Sequence, residues 1–263
     1  MKPTVLAAAA LAAAGLGACF GLSGPPSGLL AISPILPAWP SVVEDDVLRD
    51  AEGAEAPLTV DVFDGQGNPV SDATVVYIVR DRGLHVDANG LVHGDSARTS
   101  PVRVLAQVRR GNDIIQTPEV NIDVVPLPDS LAPGGDTTFQ AKPIPVTDPA
   151  PISSDAMTVK VLHRTGGSTP IPVRSWIVSY EILSQPAGVG GQNTALFSGS
   201  STSVRAVADT TDGSGVASRS ISLQRALLAN STGRQDVTVR ATIRRVGTAS
   251  ETRAIVFTLP FGQ

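Results

Sequence analysis

The sequence predicts an all-β protein made of tandem β-sandwiches. The first observation is composition: Val, Thr and Ser are abundant, and there are 25 Gly and 21 Pro among 263 residues. β-Branched residues favour half-buried pleated surfaces, and Gly and Pro mark turns. The second is a recurring alternation of apolar and polar residues, broken by turn clusters about every 8 to 12 residues. The third is length, which is sufficient for two domains of ordinary size.

The first predicted unit covers residues 41–126. A strand at 58–63 alternates apolar and polar residues, and a dense turn cluster follows it. The next strand, at 73–79, is so apolar that we expect it to be central in its sheet. An Asn89-Gly90 pair inside residues 85–94 is a strong hairpin signal. Strands at 102–109 and 120–125 are expected to close the unit.

The middle of this unit resembles a known family. Asp64-Gly-Gln-Gly-Asn-Pro-Val, then Ala-Thr-Val-Val-Tyr, then Val86-Asp-Ala-Asn-Gly-Leu-Val-His-Gly resembles the bacterial immunoglobulin-like domain of group 2. The resemblance implies an immunoglobulin-like β-sandwich. It departs from the family pattern at residues 95–101 and 110–118, where longer segments replace the short closing turns.

A second unit is predicted at residues 155–263, after a Pro-rich linker at 127–154 that carries one short strand at 137–141. Asp209-Thr-Thr-Asp-Gly-Ser-Gly-Val-Ala followed by a strand resembles an element of invasin-type immunoglobulin-like domains. That resemblance implies a second sandwich. The fold class is therefore all-β, with two tandem immunoglobulin-like β-sandwiches after an N-terminal signal or anchor segment and a tether.

Cys19 is the only cysteine, and it follows Leu16, Gly17 and Ala18 directly. A basic Lys2, an apolar middle and small residues before a cut are the layout of a secretory signal. The order resembles the lipobox of bacterial lipoproteins, which implies lipid attachment at Cys19 and removal of residues 1–18. The alternative is an uncleaved helix, because residues 4–24 are uncharged and just long enough to span a bilayer.

Residues 19–40 are predicted to be a Pro- and Gly-rich tether, since dense prolines favour an extended path. Trp39 lies between two prolines of this tether, outside both predicted cores. We therefore expect Trp39 to contact a partner or the membrane interface. Trp176, Tyr77 and Tyr180 lie on predicted strands and are expected to supply core volume.

Neither a catalytic residue nor a metal site is predicted. His85 and His93 flank the hairpin and could approach each other, but zinc needs three or four ligands and no cysteine is free to complete a site with them or His163. Asp64-Gly-Gln-Gly-Asn68 spaces oxygens as calcium loops do, yet Pro69 replaces the required Gly and no glutamate follows at position 12. A β-turn is the preferred interpretation there, at Asp209–Gly215 and at Asp45-Asp46, with calcium kept as an alternative.

The formal net charge of −4 gives no electrostatic footprint for nucleic acid. No serine lies in a nucleophile elbow, so neither an enzyme nor a small-molecule substrate is expected. We expect a non-catalytic, lipid-anchored cell-envelope protein for adhesion, spacing or protein binding. Its partner would be a protein or glycan, its only cofactor the covalent lipid on Cys19, and its location extracytoplasmic, at the outer membrane or periplasmic side. The alternative is an accessory subunit of a membrane complex, held by an uncleaved helix.

Overall fold

The computed structural model describes residues 29–145, 147–164, 169–200, 204–230, 232–244 and 252–262. Within these ranges the chain forms twenty β-strands and two single-turn 3-10 helices (Val189–Gly191 and Arg225–Leu227), without an α-helix. The predicted all-β sandwich class is confirmed. Every sheet consists either of strands that precede residue 127 in the sequence or of strands that follow it. The exact domain bounds stay predictions.

The first unit contains one five-stranded sheet in the order β2-β9-β7-β4, with β8 also paired to β7, and two smaller two-stranded sheets, β1-β3 and β5-β6. Its strands are β1 (Leu29–Ile32), β2 (Ser41–Val43), β3 (Val62–Asp64), β4 (Thr74–Val79), β5 (Leu84–Val86), β6 (Val92–Gly94), β7 (Val102–Arg110), β8 (Asp113–Gln116) and β9 (Val120–Val125).

The second unit contains the sheets β10-β12-β13 (with β17 on β12), β11-β18-β15 and β16-β14-β19-β20. Its strands are β10 (Ser130–Pro133), β11 (Ile152–Ser153), β12 (Met157–His163), β13 (Ile171–Pro172), β14 (Ile177–Ser184), β15 (Ala195–Phe197), β16 (Ala206–Thr210), β17 (Val216–Arg219), β18 (Ile221–Leu223), β19 (Gln235–Arg244) and β20 (Thr252–Phe261).

Strict alternation builds the core. In β19, Val237, Val239 and Ala241 are fully buried, while the residues between them face outward. Tyr180 and Trp176 are also buried, as predicted for core residues. Full burial of a large aliphatic or aromatic side chain stabilises the fold by about 1.5–3 kcal/mol, so these alternating rows are what hold the sheets face to face.

Three sequence predictions are wrong in detail. The apolar strand β4 lies at an edge of its sheet, not at the centre. Its alternate apolar residues face the core, and an apolar sequence requires such a buried face but not a neighbouring strand on each side. Residues 137–141 form no strand, because Phe139 instead packs edge-on against Phe257 at 6.0 Å. The stretch predicted as a linker supplies β10 and β11 to sheets of the second unit.

Four turns share one sequence, Asp-x-x-Gly, and one geometry. In each turn the Asp Oδ1 accepts the backbone N–H groups two and four residues later, and the Gly has a positive φ. The Gly N–H donates back to the Asp carbonyl, which closes the loop. The side chain thus replaces backbone partners that a tight turn leaves unmet. The four turns begin at Asp50, Asp64, Asp87 and Asp212.

Gly90→Ala and Gly67→Ala test the packing of two of these turns. Both glycines have a left-handed φ, at +86° and +80°, so either alanine should cost about 1 kcal/mol in backbone strain. At Gly90 a Cβ would also lie 2.6 Å from the Leu58 carbonyl oxygen, whereas nothing lies within 4 Å at Gly67. We expect the loss at Gly90 to be larger by about 1–2 kcal/mol in urea unfolding. Equal losses would contradict this packing.

Candidate functional site

The lipid-attachment prediction lies outside the described part of the chain. Cys19 and the lipobox residues Leu16, Gly17 and Ala18 all precede residue 29. In the described ranges, the chain has no helix with the length and apolar character needed to cross a membrane. Lipid attachment at Cys19 therefore stays a prediction.

Trp39 lies where the two units meet. The expectation that it sits outside both cores is wrong: its side chain is 8% exposed and belongs to the buried core. Its ring packs edge-on against Trp176 of the second unit, with centroids 5.6 Å apart and planes at 61°. This is a favoured geometry for aromatic pairs. The residue predicted to contact a partner joins the two units of its own chain, and any partner contact by Trp39 stays a prediction.

An ion pair lies beside the two tryptophans. Arg174 of the second unit places Nη2 2.6 Å from Oδ1 of Asp123, which lies on β9 of the first unit. The side chains are only 17% and 13% exposed. The Ser175 hydroxyl donates to the other oxygen of Asp123, and the Ser41 hydroxyl donates to the Ser175 carbonyl at 2.8 Å. One buried carboxylate thus binds the segment that leads into β14.

Further contacts fix the same segment on both sides. The Arg174 guanidinium also donates to the Thr99 carbonyl and, at 3.0 Å, to the Arg98 carbonyl of the first unit. Within the second unit, the buried Thr211 hydroxyl accepts a hydrogen bond from the backbone N–H of Trp176 at 2.9 Å and donates one to the Val173 carbonyl. These bonds hold both ends of the segment and explain how Ser175 keeps a left-handed φ of +52°.

Two grooves flank this junction, and each is lined by both units. The first, of about 480 Å³, mixes hydroxyls with charges of both signs, and Arg244 crosses it to donate to the Ala51 carbonyl at 2.5 Å. The second, of about 500 Å³, contains Arg174 and Ile171. Neither holds an arrangement that marks a nucleophile with its base. The chemistry these grooves offer is recognition through hydrogen bonds and charge.

The structure brings together the two hairpin histidines. His85 and His93 face each other across β5 and β6, and their rings stack at 4.6 Å and 3°. His85 Nδ1 lies 2.7 Å from Asp95 Oδ1, and His93 Nε2 lies 3.9 Å from Asp87 Oδ2. His163 is placed elsewhere, with Nδ1 2.7 Å from the Leu127 carbonyl. No group of three metal-binding side chains occurs among the described residues.

The carboxylates that suggested calcium are used in the fold. In Asp64 and Asp212, Oδ1 accepts hydrogen bonds from backbone N–H groups of the same turn. Asp209 accepts the Ser218 N–H and pairs with Arg219 at 3.2 Å. Asp46 forms an ion pair with Arg49 at 2.8 Å. Each site is explained by local structure, so calcium binding remains an alternative without structural support in this part of the chain.

Sequence reasoning missed the residues of the junction. Asp123 alternates with buried apolar residues in β9, as Asn121 does, and Arg174 and Ser175 directly precede Trp176. An arginine beside a tryptophan was the available signal. This signal does not name the partner, because Arg174 and Asp123 are 51 positions apart in the printed sequence.

The resemblance of this chain to known proteins is distant. No family model matches the chain, and no curated protein does. Among solved structures, the cadherin-like domains 1 to 4 of zebrafish RET superpose with a TM-score of 0.31 and 11% sequence identity. The match covers 72% of this chain and 41% of that one, so less than half of that structure has a counterpart here.

Two of the Asp-x-x-Gly turns, those that begin at Asp64 and Asp87, should make stability depend on acid pH. The Leu91 N–H holds the pKa of Asp87 below its ordinary 3.8, and the N–H groups of Asn68 and Gln66 do the same for the pKa of Asp64. A lowered folded-state pKa contributes stability above the unfolded value of 3.8, which is lost as the pH falls through the folded value. Carboxyl NMR titration should place both below 3.8, and values at or above it would contradict the account. Asp64→Asn, which keeps the acceptor, should remove that turn's acid dependence.

Single and paired substitutions should test the junction ion pair. Arg174→Ala strands a buried carboxylate and should cost about 3 kcal/mol in chemical unfolding. Asp123→Ala should cost less, about 2 kcal/mol, because Arg174 keeps its carbonyl acceptors. The pair Arg174→Met with Asp123→Leu should recover much of the loss.

The matched control is the exposed pair Arg234–Asp236, at 2.8 Å. Arg234→Ala should cost below about 0.5 kcal/mol, since exposed ion pairs contribute little. A loss at Arg174 no larger than the loss at Arg234 would show that the junction pair does not hold the two units.

Proposed function

We propose that this chain is a non-catalytic, lipid-anchored protein of the cell envelope. It presents two β-sandwiches, joined at a fixed angle, for adhesion, spacing or protein binding outside the cytoplasm. The all-β sandwich fold supports a general role in binding or adhesion. The lipid anchor and the location rest on the resemblance of residues 16–19 to a lipobox.

The junction is the observation that carries this proposal. A chain that merely links independent modules needs only a flexible connection, as Gly- and Ser-rich linkers provide. Here a tryptophan pair, a buried ion pair and hydrogen bonds to the Arg98 and Thr99 carbonyls join the units. Such a joint transmits position, so a partner bound on the second unit is held at a defined place relative to the first.

Anchoring by lipid suits this arrangement. One acyl chain contributes about 0.8 kcal/mol per buried CH₂ and holds only marginally, whereas two or more chains hold stably. The lipobox resemblance implies a diacylglyceryl group on Cys19 and an acylated amine, which meets that requirement. Residues 20–28 would then separate the lipid from β1, the first described strand.

The alternative is an accessory subunit whose N-terminal helix is not cleaved. In that function the apolar residues of the tether, between 32 and 39, would lie along another subunit. Ile35 and Trp39, two of the apolar tether residues, are instead buried within this chain, although Leu36 is exposed. This burial supports the lipoprotein proposal over the subunit proposal.

Cys19→Ser tests the proposal directly. The variant should fold normally but move from the membrane fraction to the soluble fraction, because the thiol that carries the lipid is gone. Ser23→Ala, four residues downstream, is the matched control and should stay membrane-bound. Mass spectrometry of the wild-type N-terminus should show a chain that starts at a lipid-modified Cys19.

The opposite result would favour the subunit function. If Cys19→Ser remained in the membrane and its mass included an intact Met1, the segment before Cys19 would be the anchor. The lipid-anchor part of the proposal would then be wrong, while the description of the junction would stand.

A further inference from the structure

Strand β4 (Thr74–Val79) has one open edge. Among the described residues it pairs only with β7. The Arg80 N–H donates to the Arg103 carbonyl of β7 at 2.9 Å, so the even-numbered residues of β4 direct their backbone polar groups toward β7. On the side of β7 opposite to β4, the backbone N–H and carbonyl of Ala106 bond to Thr117. Ala106, which lies opposite Tyr77, therefore points away from β4, in agreement with this alternation. The N–H and C=O groups of Val75, Tyr77 and Val79 therefore point to the open edge.

This edge lacks the usual features that prevent strand pairing. Natural edge strands carry Pro, Lys or a bulge, or are very short. The sequence Thr-Val-Val-Tyr-Ile-Val has none of these residues, pairs with β7 in unbroken register and is rich in strand-forming side chains. Its outer face is exposed, and Val76 is 46% accessible. Such a strand is a ready template for another β-strand.

The charges at its two ends complement each other. Asp72 lies four residues before Val76, and Arg80 lies four residues after it. Both side chains are accessible, and each forms an ion pair within its own chain, Asp72 with Arg110 at 3.1 Å and Arg80 with Glu119 at 3.5 Å. In an antiparallel pair of two such strands centred on Val76, the strand end next to Asp72 in each copy lies beside the strand end next to Arg80 in the other copy.

We propose that β4 is a homodimerisation edge, which pairs antiparallel with β4 of a second copy about a two-fold axis at Val76. In this register Val75 and Tyr77 of each copy exchange backbone hydrogen bonds with Tyr77 and Val75 of the other, so the outward-pointing groups are the ones that bond. Val76 faces its own counterpart in a non-hydrogen-bonded pair, where Cα atoms lie about 4.5 Å apart. A two-fold dimer closes on itself, so the open edges are used up.

A second copy fits this edge better than an unrelated extended peptide. Any strand can supply backbone hydrogen bonds, but the opposite charges at equal distances from Val76 make this sequence complementary to itself when a second copy runs antiparallel. The inference does not depend on lipid attachment, because it concerns β4 alone.

Cysteine crosslinking tests the register. In the full chain, Val76→Cys should form an intermolecular disulfide under mild oxidation with oxidised glutathione, because about 4.5 Å lies within the Cα separation that a disulfide spans. Ile114→Cys is the matched control: it lies on β8 of the same sheet, is 56% exposed and is separated from β4 by β7. It should give only the background that Cys19 gives in the wild type. Equal crosslinking by the two variants would overturn the proposal.

A charge at the axis tests the dimer without crosslinking. Val76→Lys would bring two ammonium groups, one from each copy, face to face across the axis. This variant should therefore raise the dissociation constant of the dimer at least about tenfold. Ile114→Lys should leave it unchanged. The readout is analytical ultracentrifugation of the full chain in excess detergent micelles, with circular dichroism to confirm that each variant is folded.

The outcomes separate the possible occupants. A concentration-dependent dimer that Val76→Lys dissociates supports the proposal. A wild type that stays monomeric up to about 100 μM overturns it, and strand addition by a different partner would then be the explanation of the open edge. A dimer that Val76→Lys leaves intact uses another surface and also overturns it.

Discussion

The ion pair between Arg174 and Asp123 is the constraint on which the relation between the two units depends. Removing two charges from water costs several kcal/mol per ion, and only close geometry with further hydrogen bonds offsets that cost. Here Ser175 and the carbonyls of residues 98 and 99 supply those bonds. Another orientation of the units would break this ion pair and these hydrogen bonds together. Such a pair contributes more to the choice of one arrangement of the two units than to the net free energy of folding.

The local structure around the pair follows from this constraint. Ser175 adopts a left-handed backbone that costs about 1 kcal/mol for a non-glycine residue. Thr211 anchors the backbone on one side, and Trp39 packs on Trp176 on the other. Neither indole N–H has an acceptor within the described chain. The tryptophans therefore stabilise the junction through buried apolar area, and Asp123 provides its polar contacts.

Much of the fold was predictable because alternation reports burial directly. β7 and β9 lie at or within one residue of their predicted places, and the Asn89-Gly90 hairpin is present. The turns at Asp64 and Asp212 lie where the sequence predicted β-turns, since the turn chemistry is local. Position within a sheet was not predictable: an apolar strand such as β4 needs one buried face, and the sequence does not state how many neighbours it has.

The candidate site was less predictable, because it consists of pairs distant in sequence. Trp39 was singled out correctly as unusual, but its surroundings suggested a free tether. Prolines on both sides predict an extended path, and an extended segment can lie against a core as easily as in solvent. The stacking of His85 on His93 followed from the hairpin, whereas the contact of Asp123 with Arg174 required the tertiary structure.

The most direct test of a fixed junction is the distribution of distances between the two units. Spin labels on cysteines introduced at Gln66 and Ala229, in a Cys19→Ser background, would place one probe on each sandwich for double electron–electron resonance. A fixed junction gives one narrow distance distribution, which should broaden when Arg174 is replaced by alanine. A broad distribution in the chain with Arg174 intact would contradict the account, because the units would then move independently despite the ion pair.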